Sequence, residues 1–242
     1  MKVFVSNLVA ILMVIIVNAL ANILPINGQT TGEISNRLPV LFTPAGYVFS
    51  IWGLIYLLLV IWVLCQLPSQ RRDLPLYQET YGLFWLSCVL NVSWILLWHY
   101  NYFAFTVVVM IGLLLTLIAL YQKVKVRKQN AFDLLPFSIY LGWISVATIA
   151  NISYYLVYID WEGFGLSDQI WTMIMLVVAA LLAIWFRWTQ RDIFYPLVFI
   201  WAIIGIGIKN QEAFPIVSYF SYGIAVIIFI SLFIRKKERI FS

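Results

Sequence analysis

Charge is what this chain has least of. Asp, Glu, Lys and Arg make up 10% of its 242 residues, where a soluble domain carries about 25%. That scarcity excludes a solvated surface over most of the length. One histidine and two cysteines leave no ligand set spaced for a metal and no disulfide framework. Cys65 and Cys88 fall inside apolar runs and read as small buried fillers; the lone His99, beside Tyr100, stands where a run ends. No GxSxG, HExxH, Walker or GxGxxG pattern occurs, and no low-complexity tract or repeat. No acid–base pair lies within the apolar runs, so ordinary catalysis has no residues to rest on, and no motif requires a cofactor.

What the chain does have is apolar length. It is 64% hydrophobic and 17% aromatic, with a mean hydropathy of +0.96. A spanning helix takes roughly 20 apolar residues, and eight such runs are present, at about residues 3–24, 46–67, 81–100, 103–122, 134–158, 169–188, 193–209 and 213–234. The expected fold class is all-α, a polytopic transmembrane helix bundle of about eight spans, with the lipid bilayer as its first partner.

The net charge of +5 is not a nucleic-acid footprint, because the basic residues are dispersed in short loops. Lys2, Arg71, Arg72, Lys123, Lys125, Arg127, Lys128, Arg187, Arg191, Arg235, Lys236, Lys237 and Arg239 all fall on one side of an eight-span layout. Only Arg37 and Lys209 fall on the other. The positive-inside rule then predicts a multi-pass cell-membrane protein with both termini cytoplasmic. Ala19-x-Ala21 resembles a signal-peptidase site, although the run before it is longer than most signal cores and its positive flank is just Lys2. Cleavage there would leave the other seven spans oriented as before.

Several spans carry rings on one face. In the second, Phe49, Trp52, Tyr56 and Val60 fall within about 80° of one another, with Gly46, Ser50 and Gly53 forming a narrower stripe that would let a neighbouring backbone approach. Pro44 and Thr43 suit its first turn and cap. In the third, Ser87, Asn91, Trp94 and Trp98 share a face. In the fifth, Tyr140, Trp143, Ala147 and Asn151 do. An asparagine inside a span points inward to a partner. With a rise of 1.5 Å per residue, Trp52, Trp94 and Asn151 each lie roughly 10 Å below the outer boundary, at one level. The loop at about residues 25–45 arrives on the same side. Such rings either line a pocket or fill space, and periodicity does not separate the two. Trp62, Trp161, Trp171 and Trp188 read as interface anchors.

These segments resemble the tryptophan-rich sensory protein family (TspO/MBR), to which the mitochondrial translocator protein, or peripheral-type benzodiazepine receptor, belongs. The second span's family pattern, Pro-Pro-x-Trp-Val-Phe…Trp…Tyr, is matched by Pro44-Ala45-Gly46-Tyr47-Val48-Phe49, then Trp52 and Tyr56. Leu90, Asn91 and Trp94 match Leu-Asn-x-x-Trp in the third. Tyr140, Trp143, Ala147, Thr148 and Asn151 match Tyr-x-x-Trp…Ala-Thr-x-x-Asn in the fifth. The likeness covers roughly residues 1–160. It implies a five-helix core over 1–160 with a ligand pocket under the first loop, and residues 161–242 as an additional three-helix module with a basic tail. The ligand-binding positions it implies are Tyr47, Phe49, Trp52, Tyr56, Asn91, Trp94, Trp98, Tyr140, Trp143, Ala147 and Asn151. Three departures stand out: Tyr47 replaces a tryptophan, Ala45 replaces a proline, and the interval from Phe49 to Trp52 is one residue short.

The resemblance implies binding of a planar hydrophobic small molecule, a porphyrin, haem or sterol, in a sensory, regulatory or ligand-handling role. Three alternatives remain open, one of them a structural partner in a membrane complex. Uncoupled transport of small hydrophobic molecules is compatible with spans whose interiors lack ionisable residues, whereas ion-coupled transport is not. Porphyrin degradation, credited to some family members, would place Trp52 and Trp143 at its centre. A homodimer is also compatible with the sequence.

Overall fold

Within lipid, a helix satisfies its own backbone hydrogen bonds, so apolar runs of this length fold as helices. A computed structural model describes residues 1–234, and every regular element among them is helical. They are α1 (Lys2–Ile23), α2 (Thr31–Asn36), α3 (Ile51–Leu64), α4 (Ser69–Arg72), α5 (Pro75–His99), α6 (Phe103–Arg127), α7 (Leu135–Tyr158), α8 (Asp168–Gln190), α9 (Phe194–Lys209) and α10 (Pro215–Ser231), with single 3-10 turns between some of them. The basic tail Arg235, Lys236, Lys237 and Arg239 lies outside the described residues.

Among the described residues six helices are long and apolar enough to cross a membrane: α1, α3 with the 3-10 turn before it, α5, α6, α7 and α8. The last two expected spans are shorter, with 16 residues in α9 and 17 in α10. Their starts are set locally. The Asp192 carboxylate accepts from the amides of Phe194 and Tyr195, and Pro215 occupies the first turn of α10, where its missing N–H costs nothing. Pro75 likewise opens α5, several residues before the apolar run it carries.

The chain divides into two compact units, Met1–Val40 with Phe49–Trp161, and Leu41–Val48 with Glu162–Ser242. In the first unit α1 packs on α5, α5 on α6, α6 on α7, α7 on α3 and α3 on α1, which closes a ring of five helices. In the second unit α8, α9 and α10 pack pairwise on one another. Residues 41–48 belong to this second unit although they lead directly into α3.

Lipid gives little hydrophobic drive for helix to pack on helix, so close packing and polar pairs must hold the ring. At the end opposite the first loop Trp62 is fully buried among Tyr77, Phe84 and Phe137, with ring centroids 5.0–5.5 Å apart. It is therefore a core residue rather than an interface anchor, because its position on α3 faces the middle of the ring. Close by, Arg71 donates to Asp133 and to the Tyr77 hydroxyl. Asp133 is fully buried and also accepts from the amide of Gln129. One carboxylate thus ties the α4 turn to the turn that starts α7.

At the other end the first loop is pinned down. His99 is buried, its Nδ1 donating to the Ile26 carbonyl at 3.0 Å while its Nε2 accepts from the Thr31 hydroxyl at 2.9 Å. Asn27 donates to the His99 carbonyl, and the Tyr154 hydroxyl donates to the carbonyl of Ile34. Thr30 and Glu33 form a reciprocal capping box on α2. Hydrogen bonds from the Thr30 backbone and then its side chain hold the Glu33 carboxyl below its usual range. That contribution is present above the usual carboxylate pKa and is lost as pH falls through the lowered value.

The small-residue stripe on α3 does not serve as a packing edge. A Cβ at Gly46 or Gly53 would meet nothing within 4 Å. Close approach occurs on α9 instead, where a Cβ at Gly205 would come within 2.2 Å of Val48 and one at Gly207 within 2.6 Å of Tyr222.

Removing the Asp133 carboxylate strands a guanidinium that retains 22% exposure. Asp133→Ala should destabilise the purified protein by about 2–3 kcal/mol, below the 3–5 expected for a fully buried pair, and lower Tm by several degrees. Asp73→Ala, at an exposed neighbouring carboxylate, should change Tm little. Equal melting of the two variants would remove the Arg71–Asp133 pair from the account.

Candidate functional site

The rings singled out in the sequence separate into two groups in the structure. The first lies between α3 and α7. Trp52, in the first turn of α3, stacks on Tyr56 one helical turn later, with centroids 5.5 Å apart and planes 22° apart. Its edge meets Tyr140 at 5.9 Å and Trp143 at 6.1 Å, and Phe49 meets Trp143 edge-on at 5.8 Å. Tyr140 and Trp143 are buried, while Phe49, Trp52 and Tyr56 are half-buried.

Asn91 supports this group from α5. Its Oδ1 accepts from Asn18 of α1 at 2.9 Å, and its Nδ2 donates to the Tyr140 hydroxyl at 3.0 Å. One amide therefore ties α1, α5 and α7 together and orients a ring of the group. Two donors in the group are less well served. The Trp143 Nε1 is buried with no hydrogen-bond partner, and the buried Tyr56 hydroxyl has only the Asn91 amide beside it, without normal hydrogen-bond geometry. A buried donor left unpaired costs about 1–3 kcal/mol, and each such group calls for an explanation.

The second group lies nearer the first loop. Trp94 donates from Nε1 to Asn151 Oδ1 at 2.9 Å, and Asn151 Nδ2 donates to the Thr106 hydroxyl at 3.0 Å. Thr106 in turn donates to the carbonyl of Phe103. The chain of bonds ties α5, α7 and α6, and it uses both ends of the Asn151 amide. Trp98, stacked on Trp94 at 5.3 Å, packs on Phe103 and Tyr154. Beneath the first loop these residues form one cluster with Ile34 and Val40.

The expected level shared by Trp52, Trp94 and Asn151 is thus only partly present. Trp94 and Asn151 meet, but Trp52 meets α7 at Tyr140 and Trp143. Eight residues separate Trp143 from Asn151, roughly 12 Å along a helix axis. The reason lies at the start of α3. Gly46–Ser50 form a 3-10 turn and the α-helix begins at Ile51, so counting α-helical turns from residue 46 misplaces the rings. Tyr47 joins neither group. It is 43% exposed and sets its ring edge-on to Trp201 of α9 at 5.1 Å. Ala147, half-buried on α7, has no polar role. Among the described residues no group of His, Cys, Asp and Glu could hold a metal ion. Asn18 and Thr106 were not among the expected site residues; the only signal for them was that each is a polar side chain inside or at the edge of an apolar run.

Asn151→Leu should act on stability first, because it leaves the Trp94 Nε1 without an acceptor and removes the donor to Thr106. A buried partner left unsatisfied costs about 1–3 kcal/mol, which applies to the Trp94 Nε1 and not to Thr106, whose hydroxyl still donates to the Phe103 carbonyl. A double-mutant cycle with Trp94→Phe, read by Tm in detergent, should show clear coupling between the two positions. Additive effects would show that the Trp94–Asn151 bond contributes nothing to the bundle.

No curated protein and no solved structure matches the chain. A family model does: the model for TSPO-like protein matches residues 3–234. This match runs well past residue 160 and takes in α8, α9 and α10. With nearly its whole length matched and a bundle of apolar helices behind the match, the chain belongs to the TSPO-like protein family.

Proposed function

We propose that this membrane protein binds a planar hydrophobic molecule, of tetrapyrrole or sterol-like shape, against the rings Phe49, Trp52, Tyr56, Tyr140 and Trp143. The observation that carries this reading is a half-buried wall of rings with two buried donors short of acceptors, the Trp143 Nε1, which has none, and the Tyr56 hydroxyl, which has only the Asn91 amide beside it. A wall of rings suits a flat apolar ligand, and donors without acceptors favour one that bears a carboxylate or carbonyl oxygen. The Trp94, Trp98 and Asn151 group has its hydrogen bonds closed internally and serves chiefly to hold helices together. The role is that of a sensor or ligand handler, with both termini in the cytoplasm of a cell membrane. Residues 1–160 supply the ligand-binding part.

Stacking on an aromatic side chain contributes about 0.5–1.5 kcal/mol beyond area burial. Trp52→Ala should therefore weaken protoporphyrin several-fold to tenfold in a tryptophan-fluorescence titration. Trp188→Phe, at a half-exposed ring of α8, should change affinity little. Affinity is expressed per folded molecule, with Tm taken on the same samples. Unchanged affinity in both Trp52→Ala and Trp143→Ala would show these rings to be packing alone.

The orientation has its own check. Cysteines placed at Gln129 and Gln190 should be shielded from impermeant thiol reagents in sealed cells, and cysteines at Gly32 and Gly163 should react. The reverse pattern would invert the topology.

A further inference from the structure

The Leu41–Val48 strap is irregular backbone in a chain made for lipid, and such backbone must find partners in protein. Its partners are on α9, within the second unit. The Ala45 amide donates to the Gly205 carbonyl at 3.0 Å, using that oxygen's second lone pair in addition to any bond inside the helix. Trp201, one turn earlier, donates from Nε1 to the Val48 carbonyl at 3.2 Å and receives the edge of Tyr47. At the end of α9, Asn210 donates from Nδ2 to the Leu41 carbonyl at 2.9 Å. Phe42, Thr43 and Val48 are at most 3% exposed.

The approach is possible because residue 205 has no side chain. A Cβ there would lie 2.2 Å from Val48 Cγ2 and 3.3 Å from Pro44 Cβ. The next residue after the strap is Phe49, the first ring of the α3–α7 group, and α3 begins two residues later. Whatever fixes Val48 therefore fixes, through one peptide bond, where that group starts.

We propose that α9 is a clamp for the strap, with Gly205, Trp201 and Asn210 as positioning residues that set the start of α3 and so tune ligand binding at Phe49 and Trp52. The three-helix module then has a role at the ligand site without touching the ligand. The binding half of this statement rests on the function proposed above; the clamp itself does not.

The test uses the full-length protein in detergent, with Cys65→Ala and Cys88→Ala to remove native thiols and Thr43→Cys as a reporter within the strap. In this background Gly205→Ala is compared with Gly223→Ala on α10, where a Cβ meets nothing within 4 Å, and with the double variant Val48→Ala/Gly205→Ala. Two quantities are read on each: the rate of maleimide labelling at residue 43, and protoporphyrin affinity per folded molecule. Gly205→Ala should label at least tenfold faster than Gly223→Ala and bind protoporphyrin three- to tenfold more weakly. The double variant, which removes the clashing methyl, should recover both. If Gly205→Ala alone fails to fold, recovery in the double variant still identifies the clash. Equal labelling in all three overturns the clamp, and so does a misfolded Gly205→Ala that Val48→Ala does not rescue. Faster labelling with unchanged affinity overturns the positioning of the site. If the parent protein binds no protoporphyrin, the function proposed above fails, and the labelling comparison alone decides whether the clamp exists.

Discussion

An amide inside a membrane span has no water to turn to, and in this protein two of them tie together four helices of the five-helix ring, α1, α5, α6 and α7. Asn91 takes a hydrogen bond from α1 and gives one to α7; Asn151 takes one from α5 and gives one to α6. Apolar faces alone would let these helices slide or rotate, since lipid tails compete for the same contacts. The amides remove that freedom. Each has fixed donor and acceptor positions, and only one arrangement of the neighbours satisfies both. The fully buried rings around Trp62 and the Arg71–Asp133 pair close one end, and the pinned first loop closes the other.

Against that background the α3–α7 ring group differs from the rest of the interior. Elsewhere, polar atoms are largely matched: His99 on both nitrogens, Trp94 on Asn151, Trp98 on the Thr31 carbonyl, Tyr154 on the Ile34 carbonyl. Between α3 and α7 the Trp143 Nε1 and the Tyr56 hydroxyl are buried without a hydrogen bond of normal geometry, and in the packed core at the far end so is the Trp62 Nε1. What sets the α3–α7 group apart from the Trp62 core is that its donors lie beside half-buried rings, Phe49, Trp52 and Tyr56, whereas Trp62 is fully enclosed. A second unmatched pair, Asn7 Oδ1 and Gln66 Nε2, belongs to a different place; those two side chains already meet through their other atoms at 3.5 Å.

Much of this was legible in the sequence. Apolar runs reported helices well because length and composition suffice to make a helix in lipid. Asn91 and Asn151 were legible as inward-facing, since exposing an amide to lipid is costly. Three things were not. The start of α3 was hidden because a 3-10 turn and an α-helix look alike in a run of apolar residues. The fate of Tyr47 was hidden because it depends on α9, more than 150 residues away in the chain, and no local pattern encodes that pairing. The glycines misled for a related reason: a small residue permits a close approach without requiring one, so Gly53 lies open while Gly205 is crowded. Asp133 was overlooked as one charge in a loop of many, although its neighbour Asn130 accepts from its amide in a local turn.

The central claim is that the ligand lies against α3 and α7 and not under the first loop. Photo-crosslinking with a planar, carboxylate-bearing aromatic probe, followed by mapping of the modified peptides, tests it most directly. Adducts are expected on the stretches holding Phe49, Trp52 and Tyr56 and on those holding Tyr140 and Trp143. Adducts confined to Trp94, Trp98 and the first loop would contradict the account.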